Sequence, residues 1–219
     1  MYLIVIGSGR TGRHVIELAT KDGHEVVVFE KDEVKAQWAS ANMDCFVVNA
    51  DASSVEKLRE SEAEKADAMI ATANDDAVNM LVMMMGKELG IKRLVSSVTD
   101  DEHLKLFDEL GIDTIGNPFR LNGQFLYRTL QRPGVKDFMD LGNGAEIIEV
   151  KVKEGAPLID KDLQEINESK LLPKESLVVA IKREKQLIVP NGDTKIYTND
   201  LVTLFTREGV TKSLLEKFN

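Results

Sequence analysis

The sequence holds one cysteine, Cys45, among 219 residues. A lone thiol forms no internal disulfide and offers no second sulfur to a zinc ion, so it reads as a small buried apolar residue in a chain indifferent to oxidation. There are three histidines, His14, His24 and His103, and no grouping of His, Cys or carboxylate residues has metal-ligand spacing. No apolar stretch approaches the roughly 18 residues of a membrane span, and the N-terminus enters a strand with no cationic segment before it. The expected location is therefore the cytoplasm, with any membrane role exercised through a partner. Positive charge is also short: the net charge is -9, with no run of five like charges, a balance that repels a polyanion and argues against nucleic-acid binding.

What is present is an alternation. Apolar β-rich runs recur at Leu3 to Ile6, Glu25 to Phe29, Cys45 to Val48, Ala68 to Ala71, Arg93 to Val98 and Asp113 to Ile115. Stretches of helical periodicity lie between them, such as Val15, Leu18 and Ala19, or Leu104, Phe107 and Leu110. Continuous apolar strands alternating with helices predict an α/β fold, a Rossmann-like doubly wound parallel sheet covered on both faces. Ser53 and Glu56 have capping-box spacing, and Gly23, Gly90 and Gly111 stand where helices end before strands. The segment "NPFRLNGQFLYRTLQRPG" predicts an extra helix, with Pro118 in its first turn. Its apolar residues Phe119, Phe125, Leu126 and Leu130 fit either packing on its own sheet or a face for another subunit or the second domain. From Ala145 the texture changes to short alternating strands, "AEIIEVKV", "LVVAIKRE", "QLIVP" and "DLVTLFT", with "PNGD" read as a hairpin turn at Asn191-Gly192. Two short helical stretches are expected near Asp160 to Ile166 and Val210 to Phe218. The expected division is a nucleotide-binding domain over 1-132 and a smaller α+β domain over 144-219, joined through "DLGNGA".

The chemistry concentrates in "GSGRTG". In the G-x-G-x-x-G pattern Gly7 makes the tight turn, Gly9 lets backbone approach a pyrophosphate, and Gly12 lets helix and strand pack closely, with Ser8, Arg10 and Thr11 between them. Glu30 ends the second strand, where a carboxylate accepts hydrogen bonds from ribose hydroxyls and repels a 2′-phosphate, favouring NAD(H) or ATP over NADP. Lys31 follows, open to a ligand contact or a solvated charge. Cations at a helix start oppose the macrodipole, so Arg10 is read as a phosphate ligand and Arg13 as an exposed charge. Asp51 with Ala52, and Thr72, Ala73, Asn74 and Asp75, follow strands three and four at the same sheet edge. Asp51 suits an adenine amino group and Asn74 a sugar or phosphate; each equally suits a helix cap. The four methionines of "NMLVMMMGKELG" read as core filling.

With these blocks in order, the chain resembles the regulatory subunits of Trk/Ktr-type potassium uptake systems, built from a domain regulating K+ conductance (RCK) and a small C-terminal companion. The resemblance rests on "IVIGSGRTGRHV", "VFEKD", "NADAS", "ATANDDAVNML" and "GIDTIGNP", then "AEIIEVKVKEGAPLIDKDLQEI" and "LVTLFT". It implies contacts to NAD(H), ATP or ADP from Gly7 to Thr11, Glu30, Asp51, Ala52, Ala73 and Asn74. It also implies dimers assembling into an octameric ring beneath a membrane-embedded K+ transporting subunit. With one copy of each domain per chain, such a ring needs more chains or a paralogous partner. The competing expectation is a small soluble NAD-dependent oxidoreductase. Against it, no histidine lies in the second domain, and Tyr127 and Tyr197 lack a lysine four residues later.

Overall fold

The computed structural model describes all 219 residues. They divide into two units, Met1–Asn122 and Gly123–Asn219.

The first unit is built on a six-stranded parallel sheet of β1 (Tyr2–Ile6), β2 (Glu25–Phe29), β3 (Phe46–Val48), β4 (Ala68–Ala71), β5 (Arg93–Ser97) and β6 (Asp113–Ile115), in the order β3-β2-β1-β4-β5-β6. The helices α1 (Arg10–Lys21), α2 (Glu33–Asn42), α3 (Val55–Glu60), α4 (Asp76–Glu88) and α5 (Leu104–Glu109) connect them. Alternate residues of β1 and β2 feed two cores. Leu3, Val5, Val26 and Val28 pack with Ile16 and Ala19 of α1, while Ile4, Ile6, Val27 and Phe29 join Met69, Met83 and Phe107 on the opposite face. Strand order reverses between β1 and β4, so the loops after β1, β2, β3 and β4 meet at the carboxyl edge, at the switch point where open α/β sheets bind ligands.

Several local expectations change. Leu18 points outward, 64% exposed, and α1 meets the sheet through Gly12, Ile16 and Ala19 instead. The cap of α3 is Ser54 rather than Ser53, because the Ser53 N–H donates to Asp51 in an Asx turn that delays the helix by one residue. Gly23, Gly90 and Gly111 do end their helices, each at positive φ. Helix α6 (Pro118–Gln131) is capped by Asn117, whose Oδ1 accepts from the amides of Phe119 and Arg120. No residue of α6 is buried; Phe119, Leu126 and Leu130 are exposed, and Phe125 stacks on Phe138 at 5.4 Å.

The second unit holds a five-stranded antiparallel sheet of β7 (Val135–Gly142), β8 (Ala145–Lys151), β9 (Ser176–Arg183), β10 (Gln186–Ile188) and β11 (Leu201–Thr206), ordered β10-β9-β11-β8-β7. Two short helices, α7 (Leu163–Glu168) and α8 (Lys212–Glu216), accompany it. The stretch expected as a connector is a strand and its turn: β7 pairs with β8, and "DLGNGA" is the reversal between them. The boundary between the two units, Asn122 to Gly123, falls within α6. "PNGD" makes a turn but no hairpin; the hairpin is β9–β10, reversing at Glu184, which adopts φ +55°.

Candidate functional site

The carboxyl edge opens into a cleft of about 330 Å³ whose walls include Gly7, Gly9, Glu30, Lys31, Lys35, Asp51, Ala52, Thr72, Ala73 and Asn74. Nine of the thirteen predicted site residues thus share one concavity with Lys35, and the remaining four, Ser8, Arg10, Thr11 and Gly12, sit in the turn and helix behind it.

The three glycines are required for three different reasons. Gly7 has φ +91°, and its N–H donates to Phe29 O at 2.8 Å. Gly12 is buried, and a Cβ there would stand 2.0 Å from Gly7 O and 2.8 Å from Thr72 Oγ1. Gly9 is neither strained nor crowded: its φ of -66° suits any residue, and a Cβ there meets nothing within 4 Å. The fold makes no demand for glycine at this position, yet it lines the cleft. Helix α1 starts at Gly9 with no side chain returning to its first-turn amides, whereas Asp32, Asp75 and Asp162 cap α2, α4 and α7.

Beneath the cleft, polar side chains lock the turn. Thr72 Oγ1 donates to the carbonyls of Ile6 and Gly7, each at 3.0 Å, fastening β4 to the glycine turn. Ser8 is fully buried and gives Glu30 Oε2 both its N–H, at 2.7 Å, and its hydroxyl, at 2.9 Å. Asp32 N–H donates to Glu30 Oε1. Three of the roughly four acceptor positions of Glu30 are therefore filled by protein donors, and free capacity remains only on Oε1. A two-oxygen grip on a ribose requires displacing the Ser8 hydroxyl; a single hydroxyl on Oε1 does not. The side chains of Ser8 and Thr72 serve the turn itself.

Asp51 is exposed and accepts the Ser53 N–H, a bond that holds its carboxyl below the usual aspartate range. Asp75 caps α4 through the amides of Ala77 and Val78, leaving the exposed Asn74 free on the rim. Arg10 is exposed at the first helical position. Arg13 is not an exposed charge as expected: its Nε donates to Ser8 O at 3.1 Å and its guanidinium lies 3.7 Å from the Trp38 ring centroid.

Two residues carry weight that the sequence did not advertise. Asn79, fully buried in α4, accepts from Ala73 N and donates to the carbonyls of Ala73 and Ser97. Asp76, 5% exposed, accepts from Thr99 N, Thr99 Oγ1 and Asp100 N, and its Oδ2 lies 2.9 Å from His103 Nδ1. Burial pushes its pKa up, but the His103, Thr99 and Asp100 bonds outweigh that and hold it low, while the same Asp76 bond raises His103. The signal for Asn79 was a polar residue within an otherwise apolar helical stretch; Asp76, directly after Asn74 and Asp75 at the start of α4, carried none.

Residues 3–118 match the TrkA-N domain and residues 147–219 the TrkA-C domain. A Trk system potassium uptake protein TrkA homolog of Pyrococcus abyssi is 30% identical over 227 positions, covering 99% of this chain and 98% of that one. Among solved structures, the GsuK channel bound to NAD is 18% identical with a TM-score of 0.66, matching 99% of this chain. This chain spans only 38% of that channel's length. GsuK bound to ADP gives 17% identity and a TM-score of 0.53 over 60% of this chain and 34% of that one. At these identities the solved structures show a shared fold. Two successive domain matches and a relative aligned end to end place this chain in the TrkA family of Trk-type potassium uptake regulatory proteins.

Proposed function

We propose that the cleft binds an adenosine nucleotide, NAD(H) or ATP/ADP, and that the chain is a cytoplasmic regulatory subunit of a membrane-embedded potassium transporting protein. In this reading dimers assemble into an octameric ring, alone or with a paralogous chain, and nucleotide exchange biases the ring conformation. The observation that carries the reading is Gly9: neither its backbone nor its protein neighbours require glycine, but a diphosphate seated on the first-turn amides of α1 does. Glu30 Oε1 then takes one ribose hydroxyl, Asp51 and Ala52 border the adenine, Ala73 and Asn74 face the sugar-phosphate, and Arg10 reaches the far phosphates. Lys31 and Lys35 share the wall with Glu30, so discrimination against NADP rests on that carboxylate alone.

The reading is of a sensor rather than an enzyme. His14 and His24 do not line the cleft, and His103 is tied to Asp76. A tenfold preference of one ring conformation for a nucleotide is about 1.4 kcal/mol of bias on an attached pore. Calorimetric titration of the purified chain with NADH, NAD, NADP, ATP, ADP and AMP tests the reading. Binding of the diphosphate-containing ligands is expected, with Arg10→Ala narrowing their discrimination and altering K+ flux through the co-expressed transporting subunit. Absence of binding by every adenine compound overturns the reading, and so does an Arg10→Ala protein with unchanged discrimination and flux.

A further inference from the structure

We infer that Asp76, Thr99 and Asn117 form a hydrogen-bonded relay that passes the state of the cleft to the start of α6, an inference that rests on the nucleotide reading above. The cleft wall at Ala73 to Asp75 runs directly into α4, and Asp75 alone performs the capping of that helix. Asp76, the next residue, is therefore released from local duty, and every one of its bonds goes to the separate segment after β5: Thr99 N–H and hydroxyl on Oδ1, Asp100 N–H and His103 on Oδ2. Asn79 ties the same wall to the same segment, holding both backbone groups of Ala73 while donating to Ser97 O. The wall and the segment from Ser97 to His103 consequently move as one piece.

The next link is Asn117. Its Nδ2 donates to Thr99 O at 2.6 Å, and its Oδ1 accepts the amides of Phe119 and Arg120 at 2.9 and 3.2 Å. One side chain thus joins the segment fastened to the cleft wall and the N-cap of α6. At this end α6 has little else to hold it, since none of its residues is buried and Phe119 and Leu121 are exposed. A displacement of Ala73 and Asn74 by a ligand has, through Asp76 and Thr99, a direct mechanical route to the cap of that helix. Asp76 is buried and Thr99 and Asn117 are half-buried, so the coupling runs through discrete, partly shielded hydrogen bonds.

The substitution Asn117→Asp separates the relay from the cap: an aspartate still accepts the α6 amides but has no hydrogen to give Thr99 O. Asn117→Ser also keeps a capping oxygen, but its side chain is one bond shorter and its hydroxyl falls short of the position from which Nδ2 reaches Thr99 O. Hydrogen–deuterium exchange of residues 117–122, measured with and without ADP on the full chain, reads the coupling, and calorimetry on the same samples reads binding. In the native chain ADP is expected to change exchange there by roughly fivefold or more, a change lost in both variants while ADP affinity stays within about twofold. A variant that binds ADP and retains the full exchange response overturns the relay, as does a native chain that binds ADP with no response at residues 117–122. A native chain that binds no adenine nucleotide overturns the functional reading instead, and the relay with it.

Discussion

Each unit buries carboxylates, and the two units satisfy them differently. In the second, Glu146 is held by Arg128 and Arg132, and Asp200 takes a two-point contact from Arg183 together with the Tyr197 N–H. In the first, Glu30 is held only by the amides and hydroxyl of Ser8 and Asp32, and Asp76 by Thr99, Asp100 and one histidine. Charge neutralised by arginine is finished business: such groups join elements of the fold and have nothing left to offer a ligand. Charge held mainly by amides and hydroxyls keeps a field: Glu30, just past the end of β2, lines the cleft, and Asp76, the first residue of α4, follows directly on the cleft wall at Asp75. The contrast separates a unit whose polar interior is structural from one whose polar interior shapes a site.

The comparison breaks most visibly at Asp200. Replacement by Ala leaves Arg183, already stacked over Tyr197 at 4.4 Å, without its buried partner, and is expected to cost about 3 kcal/mol of stability in urea denaturation. Nucleotide affinity, read by calorimetry, is expected to stay the same, since the cleft belongs to the other unit; a parallel loss of affinity would erase the distinction. Ser8→Ala is milder. It removes one of three donors to Glu30, so a loss of about 1 kcal/mol is expected from the same denaturation measurement. The vacated Oε2 position becomes open to a ribose hydroxyl, so affinity is expected to hold or rise.

The smallest effect concerns pH. The Asp76 bond raises the His103 pKa in the folded chain, with Asp100 and Glu102 adding to it, so the protonated ring is favoured by folding. Its contribution is fully present below the unfolded value of about 6.5 and is lost as pH rises through the higher folded value. In thermal melts from pH 6 to 8.5, His103→Gln is expected to flatten the shallow decline of the native chain. An unchanged slope would remove His103 from the account.

Much of this was legible from the residues themselves. β2, β4 and β6 have the bounds that their apolar runs predict, and the site residues follow because a doubly wound order brings the ends of β1, β2, β3 and β4 to one edge. β7 was not legible: only Val135 is buried and Phe138 half-buried, so an edge strand bearing Lys136, Asp137 and Asp140 shows no alternation. The fold's use of Ser8 against Glu30 was equally hidden, because a serine in a glycine turn carries no mark of which way its hydroxyl faces. Asn79 and Asp76 were hidden for a related reason, their partners lying 6 to 27 residues away along the chain.

The central claim is that Gly9 is glycine for the sake of a diphosphate and not for the fold. Gly9→Ser tests it most directly, because serine caps a helix well and its side chain enters open space, in contrast to Gly12, where a Cβ collides with the turn. The account predicts a melting temperature equal to or above that of the native chain, and at least about a tenfold loss of ADP affinity in calorimetric titration. A stable Gly9→Ser chain that binds ADP as tightly as the native one would contradict it.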